Sequence, residues 1–567
     1  MGTARRGLIA VSASESNLRR RIVIYRVDQV SACFADGSCL TSVADEVGSD
    51  PKCHRTSKLR GLPDKVWVIA ALIALGTVIF FTRLHTYNEP LERDVTTYAV
   101  IAHQMLNGKK LYSDLWDHKP PGIHVTYALA ELVAGYGRQS IFVLNLTAAL
   151  ATLVACYFAG SALHRDRLGG LTAAAIWAII SGDMSLEGNQ PNTEVFLNAC
   201  LAGAFAMILS AKSFELGKWR TVLAGLLFLL ASLYKQVAIM PAAAVACAYV
   251  ISAPAVSRKR ALIDVSRIAA IGALGWAAVF SYFAVQGRDD AFIDATFIYN
   301  QFYAGSISHN LGSWLRVPPV PSHGLTLIGV LAAFTLAGLA FGLFSGPRRP
   351  WTLLLGLLLG THVAVLLPGQ FFAHYYQLWL PPLIIGAAWT VTLLRRSLPD
   401  SLTWIAHTAA AITIMGLGAF QFPEYRIPPE EWSIRKYERI FVETDRLALT
   451  LNRLLKPNER FYEWGNESGL YLMTKKEPPS GILFSDPLML GPLKHELLQR
   501  LEDDLQREKP ELMILEEETV RRQPSHPFIA WMKSNYRLIH TQSRFWLLAR
   551  KGTELEANAS RRIAAVE

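Results

Sequence analysis

Residues 87–122 read YNEPLERDVTTYAVIAHQMLNGKKLYSDLWDHKPPG, and the rest of the chain is organised around this stretch. It follows a first long apolar run at residues 66–82 and precedes a nearly unbroken series of further apolar runs. It is too polar to lie in hydrocarbon, and it carries charges of both signs. Charged residues beside membrane-spanning helices commonly mark functional sites. The stretch therefore predicts a site at a membrane surface.

The composition is that of an α-helical polytopic membrane protein. The chain of 567 residues is 51% hydrophobic, and many of its apolar runs approach the ~20 residues that cross about 30 Å of hydrocarbon. The net charge of +10 does not indicate a nucleic-acid partner, because much of the basic excess lies in short loops that orient helices. No cysteine follows residue 421, so the C-terminal region cannot rely on disulfides.

The N-terminal 65 residues are polar and rich in arginine, and they contain no apolar signal-peptide core followed by a cleavage site. We expect a disordered cytoplasmic tail, although a start codon assigned too far upstream gives the same pattern. Basic residues precede the first apolar run, which places its N-terminal end in the cytoplasm. Residues 83–122 then form the first loop outside the cytoplasm.

The distribution of basic loops tests how many of the later apolar runs cross the membrane. If every run crosses, the basic loops at 164–167, 212–220 and 258–260 fall outside the cytoplasm, against the positive-inside rule. All three move inside if the short run at 123–136 is re-entrant or juxtamembrane, whereas fusing 222–253 into one span corrects fewer loops. We therefore predict eleven spans, or twelve if 123–136 crosses. The eleven are 66–82, 141–163, 168–181, 195–211, 222–233, 237–253, 268–285, 325–344, 351–367, 375–394 and 402–420.

The same arrangement gathers the less basic loops on one outer face. These are residues 83–122, 182–194, 234–236, 286–323 and 368–374. After residue 420 the pattern changes to charged segments with short apolar runs, such as 512–515 and 545–548. Residues 421–567 therefore predict a soluble α/β domain outside the cytoplasm with a mixed sheet, following a transmembrane domain at 66–420.

Glu92 and Asp94 are the first candidate catalytic residues. A carboxylate at the outer edge of the bilayer can accept the proton of an attacking hydroxyl. The structural alternative is that Asp94 caps a helix at 96–106 and that Glu92 stabilises its positive end. That helix is amphipathic, and we expect it to lie flat on the membrane.

Two lysines are the candidates for binding an anion. Lys119, beside His118 and followed by two prolines that stiffen the next helix, can neutralise a phosphate leaving group or can simply snorkel at a helix end. Lys235, followed by Gln236, separates two apolar runs without a glycine or proline. An anionic lipid phosphate is a natural partner for such a lysine, and a helix-hairpin cap is the structural alternative.

Further candidates lie on the same outer face. Asn192, Glu194, Gln236 and Tyr375 are the candidates for binding substrate, although Glu194 also fits as the first-turn acid of a helix. His374 and Tyr375 open another helix there, and the aromatic ring also suits an interfacial belt. The sequence contains no P-loop, nucleotide-binding glycine motif, HExxH motif or strong metal-ligand cluster.

The motif at residues 92–94, followed by TYAVIAHQML-NG, LYSDLWDHKPPG, YKQ and HYYQLWLPPL, resembles bacterial glycosyltransferases of the type C (GT-C) membrane fold. The similarity covers roughly residues 66–420 and extends to the group related to protein O-mannosyltransferases and lipid A aminoarabinose transferases. It implies inverting transfer from a polyprenyl-phosphate sugar on the periplasmic face of the inner membrane. Asp94 is then the base, and Lys119 and Lys235, with His118 and His374 nearby, bind the donor phosphate. Many relatives carry a second acid directly after the aspartate, where this chain has Val95.

The expected function is thus a membrane glycosyltransferase acting on a lipid, glycan or protein acceptor, with membrane lipid as a partner and a divalent metal as an optional cofactor. A transporter or flippase of lipid-linked glycans is the alternative. It predicts paired repeats and polar residues at mid-membrane depth, whereas the charges here gather at one face. A non-catalytic envelope assembly protein is the third possibility.

Overall fold

The computed structural model describes residues 61–211, 214–345 and 347–565. Most of the predicted N-terminal tail, residues 1–60, and two residues of the basic loop at 212–220 lie outside the described residues. The described residues from 62 onward form one compact unit.

The first two thirds of this unit are helical. In chain order the helices are α1 (Gly61–His85), α2 (Arg93–Leu106), α3 (Gly122–Ala134), α4 (Arg138–His164), α5 (Arg167–Ile180), α6 (Thr193–Leu209), α7 (Lys218–Tyr234), α8 (Ile239–Ser252), α9 (Ala255–Val285), α10 (Asp289–Ile293), α11 (Tyr299–Ala304), α12 (Ile307–Gly312), α13 (Ser322–Ser345), α14 (Arg348–Leu366), α15 (Leu380–Ser397) and α16 (Trp404–Gln421). Short 3₁₀ turns precede α8 and α15, and a π-helical turn joins α10 to α11.

Seven helices of the described chain are long and apolar enough to cross a membrane: α1, α4, α9, α13, α14, α15 and α16, the last two with their flanking turns. This confirms the multi-pass helical class. The other four predicted spans fall on α5, α6, α7 and α8, which have 14, 17, 17 and 14 residues. At about 1.5 Å per residue such helices reach roughly 21–26 Å, short of a full hydrocarbon core. The run predicted to be re-entrant forms α3, with 13 residues.

Close helix contacts depend on glycine at several crossings. A Cβ on Gly160 of α4 would lie 2.6 Å from the carbonyl oxygen of Gly169 in α5, and a Cβ on Gly360 of α14 would lie 2.5 Å from the Cα of Pro241 in α8. Small residues let helix backbones approach in this way within membranes. The short helices α5 and α8 are therefore held by backbone-to-backbone packing against longer neighbours.

The predicted basic loops meet at one end of the bundle. Arg395 at the end of α15 binds the Asp166 carboxylate at 2.7 Å, and Asp166 also caps α5. Arg349 at the start of α14 donates to the carbonyl oxygens of Ile208 and Ala211 at 2.7 Å. These contacts join the end of α15 to the loop at 164–167, and the start of α14 to the end of α6 and the residue that follows it.

The C-terminal region is an α/β domain, as predicted. Its elements are α17 (Pro429–Tyr437), α18 (Ile440–Leu454), β1 (Phe461–Trp464), α19 (Gly469–Thr474), α20 (Asp486–Met489), α21 (Lys494–Glu508), β2 (Leu512–Glu516), α22 (Glu517–Arg522), α23 (Pro527–Asn535), β3 (Tyr536–Gln542), β4 (Phe545–Arg550), α24 (Glu554–Ala557) and α25 (Ala559–Ala564). The sheet order is β1-β2-β4-β3, with β1 parallel to β2 and the other pairs antiparallel. The apolar runs at 512–515 and 545–548 are its two central strands, which confirms the mixed sheet.

Helix α2 differs from its prediction in position and surroundings. It begins at Arg93 rather than at residue 96, and residues 95–102 are all buried. Its polar face is covered by the C-terminal domain, where Gln104 donates to the Glu477 carboxylate and Thr97 hydrogen-bonds Ser468 at 2.7 Å. The apolar face of this helix therefore packs inside the protein, between α3 and the C-terminal domain, and its orientation relative to a membrane stays a prediction.

Candidate active site

A cavity of about 560 Å³ lies where the polar loops of the helical region meet the C-terminal domain. Seven of the residues predicted from sequence line it, and they come from four separate segments of the chain. They are Glu92, Asp94, His118, Lys119, Lys235, His374 and Tyr375. The fold therefore collects most of the predicted site residues in one place.

The two acids of the first motif have different surroundings. Glu92 caps α2, because its carboxylate accepts hydrogen bonds from the backbone N–H groups of Asp94 at 3.0 Å and Val95 at 3.1 Å. The structural alternative had named Asp94 as that cap, and this assignment was wrong. Asp94 is half-buried in the cavity wall, where the Tyr98 hydroxyl lies 3.5 Å from Oδ2. Burial and the adjacent Asp94 charge raise the pKa of Glu92.

The segment Asp117–His118–Lys119 forms a chain of polar contacts. His118 Nε2 accepts from Lys119 Nζ at 3.0 Å, and His118 Nδ1 lies 3.4 Å from Asp117 Oδ1. Burial and the Lys119 charge lower the pKa of His118 to about 3, so the imidazole is neutral at pH 7. Burial alone lowers the pKa of Lys119, but the Asp94 and Asp117 carboxylates more than offset this and raise it. Lys119 is thus a cation, and its hydrogen bond to the neutral His118 ring fixes the position of its ammonium group.

A second cation, Lys235, lies at the break between α7 and α8. Its ammonium donates to Glu194 Oε1 at 2.6 Å and lies 3.4 Å from the centroid of the Tyr375 ring. The backbone at Lys235 is extended, with φ −157°, which ends α7 and turns this side chain away from the helix axis. The predicted break between the two apolar runs is therefore real, and it places a lysine in the cavity wall.

His374 is held by an acid from the loop that precedes α6. Its Nδ1 lies 3.1 Å from Glu187 Oε2, and both residues line the cavity. The loop at 182–194 and the turn before α15 thus contribute a paired histidine and carboxylate.

Three predicted substrate-binding residues do not line the cavity. Glu194 is buried behind Lys235 as its ion-pair partner. Gln236 donates to the carbonyl oxygen of Thr296 at 2.8 Å, so it anchors the π-helical turn instead. Asn192 precedes α6 as a buried residue, and its side-chain amide has no hydrogen-bond partner among the described residues.

The sequence analysis missed the wall that the C-terminal domain supplies. Lys436, Tyr437, Asn466 and Asp486 line the cavity from that side. Lys436 forms a buried ion pair with Glu89 at 2.5 Å, which fixes the C-terminal domain to the first loop. These contacts join residues hundreds of positions apart, so no local pattern announces them.

The aromatic side of the cavity was also missed. Trp116, Tyr299 and Tyr303 line it, and the Trp116 and Tyr299 rings meet edge to face with centroids 4.9 Å apart. Aromatic residues in the segment 286–323 were the available signal. Within residues 61–211, 214–345 and 347–565, no group of three or more His, Cys, Asp or Glu side chains is arranged to hold a metal ion.

The sequence matches no known protein-family model and no curated protein. The fold is similar to that of ArnT from Cupriavidus metallidurans in the apo state, with a TM-score of 0.57, 15% identity, and coverage of 86% of this chain and 98% of that one. The undecaprenyl phosphate-bound form of that protein gives a TM-score of 0.57 at 14% identity over the same shares. The archaeal oligosaccharyltransferase AglB from Archaeoglobus fulgidus, in complex with an inhibitory peptide and a dolichol-phosphate, gives 0.52 at 12% identity, covering 88% of this chain and 78% of that one. The chain thus has the GT-C membrane fold that its sequence motifs predicted.

Proposed function

We propose that this protein is a glycosyltransferase that moves a sugar from a polyprenyl-phosphate donor to an acceptor hydroxyl with inversion. The observation that carries the proposal is the cavity itself. It brings a half-buried carboxylate, Asp94, together with a buried cation, Lys235, and a half-buried cation, Lys119, in a GT-C fold. Fold likeness alone does not specify function, so the charge arrangement supplies the argument.

The two lysines are assigned to the donor phosphate. A lysine ammonium has three N–H donors, and Lys119 and Lys235 each use one on a protein partner, His118 and Glu194. The remaining donors suit a phosphate, whose charge grows as it leaves. Two fold neighbours were solved with undecaprenyl phosphate or dolichol-phosphate, which supports this class of ligand.

Asp94 is assigned as the general base. The acceptor hydroxyl gives its proton to the Asp94 carboxylate as its oxygen attacks the anomeric carbon on the face opposite the phosphate. The bond between that carbon and the phosphate oxygen breaks, and its electron pair stays on the phosphate. One displacement inverts the anomeric centre. Glu92 acts here by capping α2 and fixing the backbone of Asp94.

We further infer that residues 66–420 are the transferase domain in the inner membrane and that 421–567 face the periplasm. The basic loops joined by Arg349 and Arg395 lie at the opposite end from the polar loops of the cavity in the predicted topology. In this arrangement the C-terminal domain closes the cavity on its outer side.

The test is sugar transfer from a labelled polyprenyl-phosphate donor pool in bacterial membranes that carry the wild type or Asp94→Asn at equal protein levels. Transfer by the wild type and its loss in the variant support the proposal. Equal transfer by both would remove Asp94 from the mechanism. Undecaprenyl phosphate binding without transfer by the wild type would favour the transporter role, and absence of both would favour the assembly role.

A further inference from the structure

One part of the cavity wall has a chemistry unlike that of the lysines. Trp116 and Tyr299 come from the helical region, and Asn466 and Asp486 come from the C-terminal domain. Asn466 Nδ2 donates to Asp486 Oδ2 at 3.3 Å. The backbone N–H of Trp116 donates to the carbonyl oxygen of Gly481, five residues before Asp486, at 3.0 Å, and burial and the charge of Asp486 raise the pKa of Tyr299. The four residues therefore form a continuous patch.

The patch contains buried hydrogen-bond donors that the protein leaves unused. Trp116 is 3% exposed, and its Nε1–H has no partner among the described residues. Asn466 is also 3% exposed, and Ser485 fixes its orientation by donating to Oδ1 at 3.1 Å. Its amide then keeps a second N–H beyond the bond to Asp486. Buried donors without partners are costly and uncommon, so these groups indicate a ligand that accepts hydrogen bonds.

The chemistry of these four side chains indicates which part of a donor or acceptor molecule they can bind. An isoprenoid chain offers no hydrogen bonds, and a phosphate would be repelled by Asp486. A sugar ring presents hydroxyls that both donate and accept, together with an apolar C–H face that packs on an aromatic ring. We propose that Trp116, Tyr299, Asn466 and Asp486 form a sugar-ring subsite.

The subsite adjoins the proposed phosphate position. The His118 ring lies 5.5 Å from the Tyr299 ring and 6.2 Å from the Trp116 ring, and its Nε2 accepts from Lys119. A glycosyl phosphate or an acceptor glycan can therefore contact the lysine and the subsite together. Its role in transfer rests on the proposed function, whereas its affinity for sugars does not.

The direct test is binding of methyl glycosides, as a panel of pentoses and hexoses, to the purified full-length protein by saturation-transfer NMR or calorimetry. Asp486→Asn replaces the charged acceptor by a neutral amide of the same shape, and Trp116→Phe removes the indole N–H together with part of the ring; each should weaken binding about tenfold. Glu518→Gln is the matched control, because Glu518 binds the same Arg522 as Asp486 but does not line the cavity. It should bind like the wild type.

Two outcomes would overturn the subsite: no saturable glycoside binding by the wild type, or unchanged binding in both cavity variants. Undecaprenyl phosphate alone should bind the variants as it binds the wild type, and its loss only in the variants would also overturn the assignment. A raised KM for the donor places the donor sugar there, and a raised KM for a glycan acceptor places the acceptor there. Failure of the wild type to bind undecaprenyl phosphate refutes the proposed function but leaves the glycoside result intact.

Discussion

The ion pair between Lys235 and Glu194 separates what the site needs for stability from what it needs for function. The two charges are 2.6 Å apart, and their side chains are 11% and 1% exposed. At an effective dielectric of about 20, the gross attraction at this distance is roughly 6 kcal/mol. Desolvation cancels much of it, so removing one partner alone should cost about 3–5 kcal/mol, because the other charge stays buried and unpaired.

Glu194→Gln should therefore lower the thermal midpoint of the detergent-purified protein and also strengthen anion binding. Lys235 is then left without a carboxylate partner, and the donor phosphate can take the place of that carboxylate. We expect undecaprenyl phosphate to bind about tenfold more tightly to this variant than to the wild type, a change of about 1.4 kcal/mol. Lys235→Met should be destabilised to a similar degree and should lose phosphate binding.

The double variant Lys235→Met, Glu194→Leu should recover most of the stability without recovering binding, since a buried ion pair can be replaced by apolar groups at little cost. Glu517→Gln is the matched control, because Glu517 also lies 2.6 Å from its partner Arg521, but at the surface. It should change stability by less than about 1 kcal/mol. Stability and phosphate affinity unchanged in Glu194→Gln would refute the reasoning.

Three other predictions concern neighbouring parts of the site. The pKa of His118 is lowered to about 3, against about 6.5 in an unfolded chain. Its contribution to stability should be complete above about pH 6.5 and decline as the pH falls towards 3, so His118→Gln should flatten the fall of the thermal midpoint between about pH 6.5 and 4.5. Lys436→Met should leave Glu89 buried without its cation and lower the free energy of unfolding by about 3–5 kcal/mol. Limited proteolysis should then cut the C-terminal domain faster, whereas an unchanged rate would argue against a stabilising role for this ion pair. Tyr375→Leu removes the ring that holds the Lys235 ammonium in place and should weaken undecaprenyl phosphate binding by about 1–2 kcal/mol, as measured by calorimetry. Tyr282→Leu is the control, because that ring lies 5.7 Å from the Arg288 guanidinium and does not line the cavity.

Local patterns carried much of the site prediction. A lysine at 235 between two apolar runs, without glycine or proline, correctly indicated a helix break facing a polar region. The acid at 94 and the lysine at 119 lie at the ends of short polar segments, and the fold brings both to one cavity. The apolar runs at 512–515 and 545–548 form the central strands of the sheet. A strand that is buried on both faces has a continuous apolar sequence, so these two strands could be predicted from the local pattern.

The remainder depended on contacts that a sequence pattern does not encode. An amphipathic helix shows that one face is apolar, but it does not show what covers the polar face. In α2 that cover is the C-terminal domain, through Ser468 and Glu477. Lys436 and Asp486 also line the cavity because the C-terminal domain packs against the helical region. The sequence predicts Glu92 as a catalytic candidate or as an acid at the positive end of the helix, and only the hydrogen bonds at 3.0 and 3.1 Å show that it is the helix cap.

The central claim is that Asp94 removes the acceptor proton while the lysines hold the donor. Steady-state transfer by purified wild type and Asp94→Asn, with undecaprenyl phosphate affinity measured on the same samples, tests it most directly. The account predicts a fall in kcat of about 10²–10⁴-fold with unchanged phosphate affinity. A variant that retains wild-type kcat, or that loses phosphate affinity in step with kcat, would contradict it.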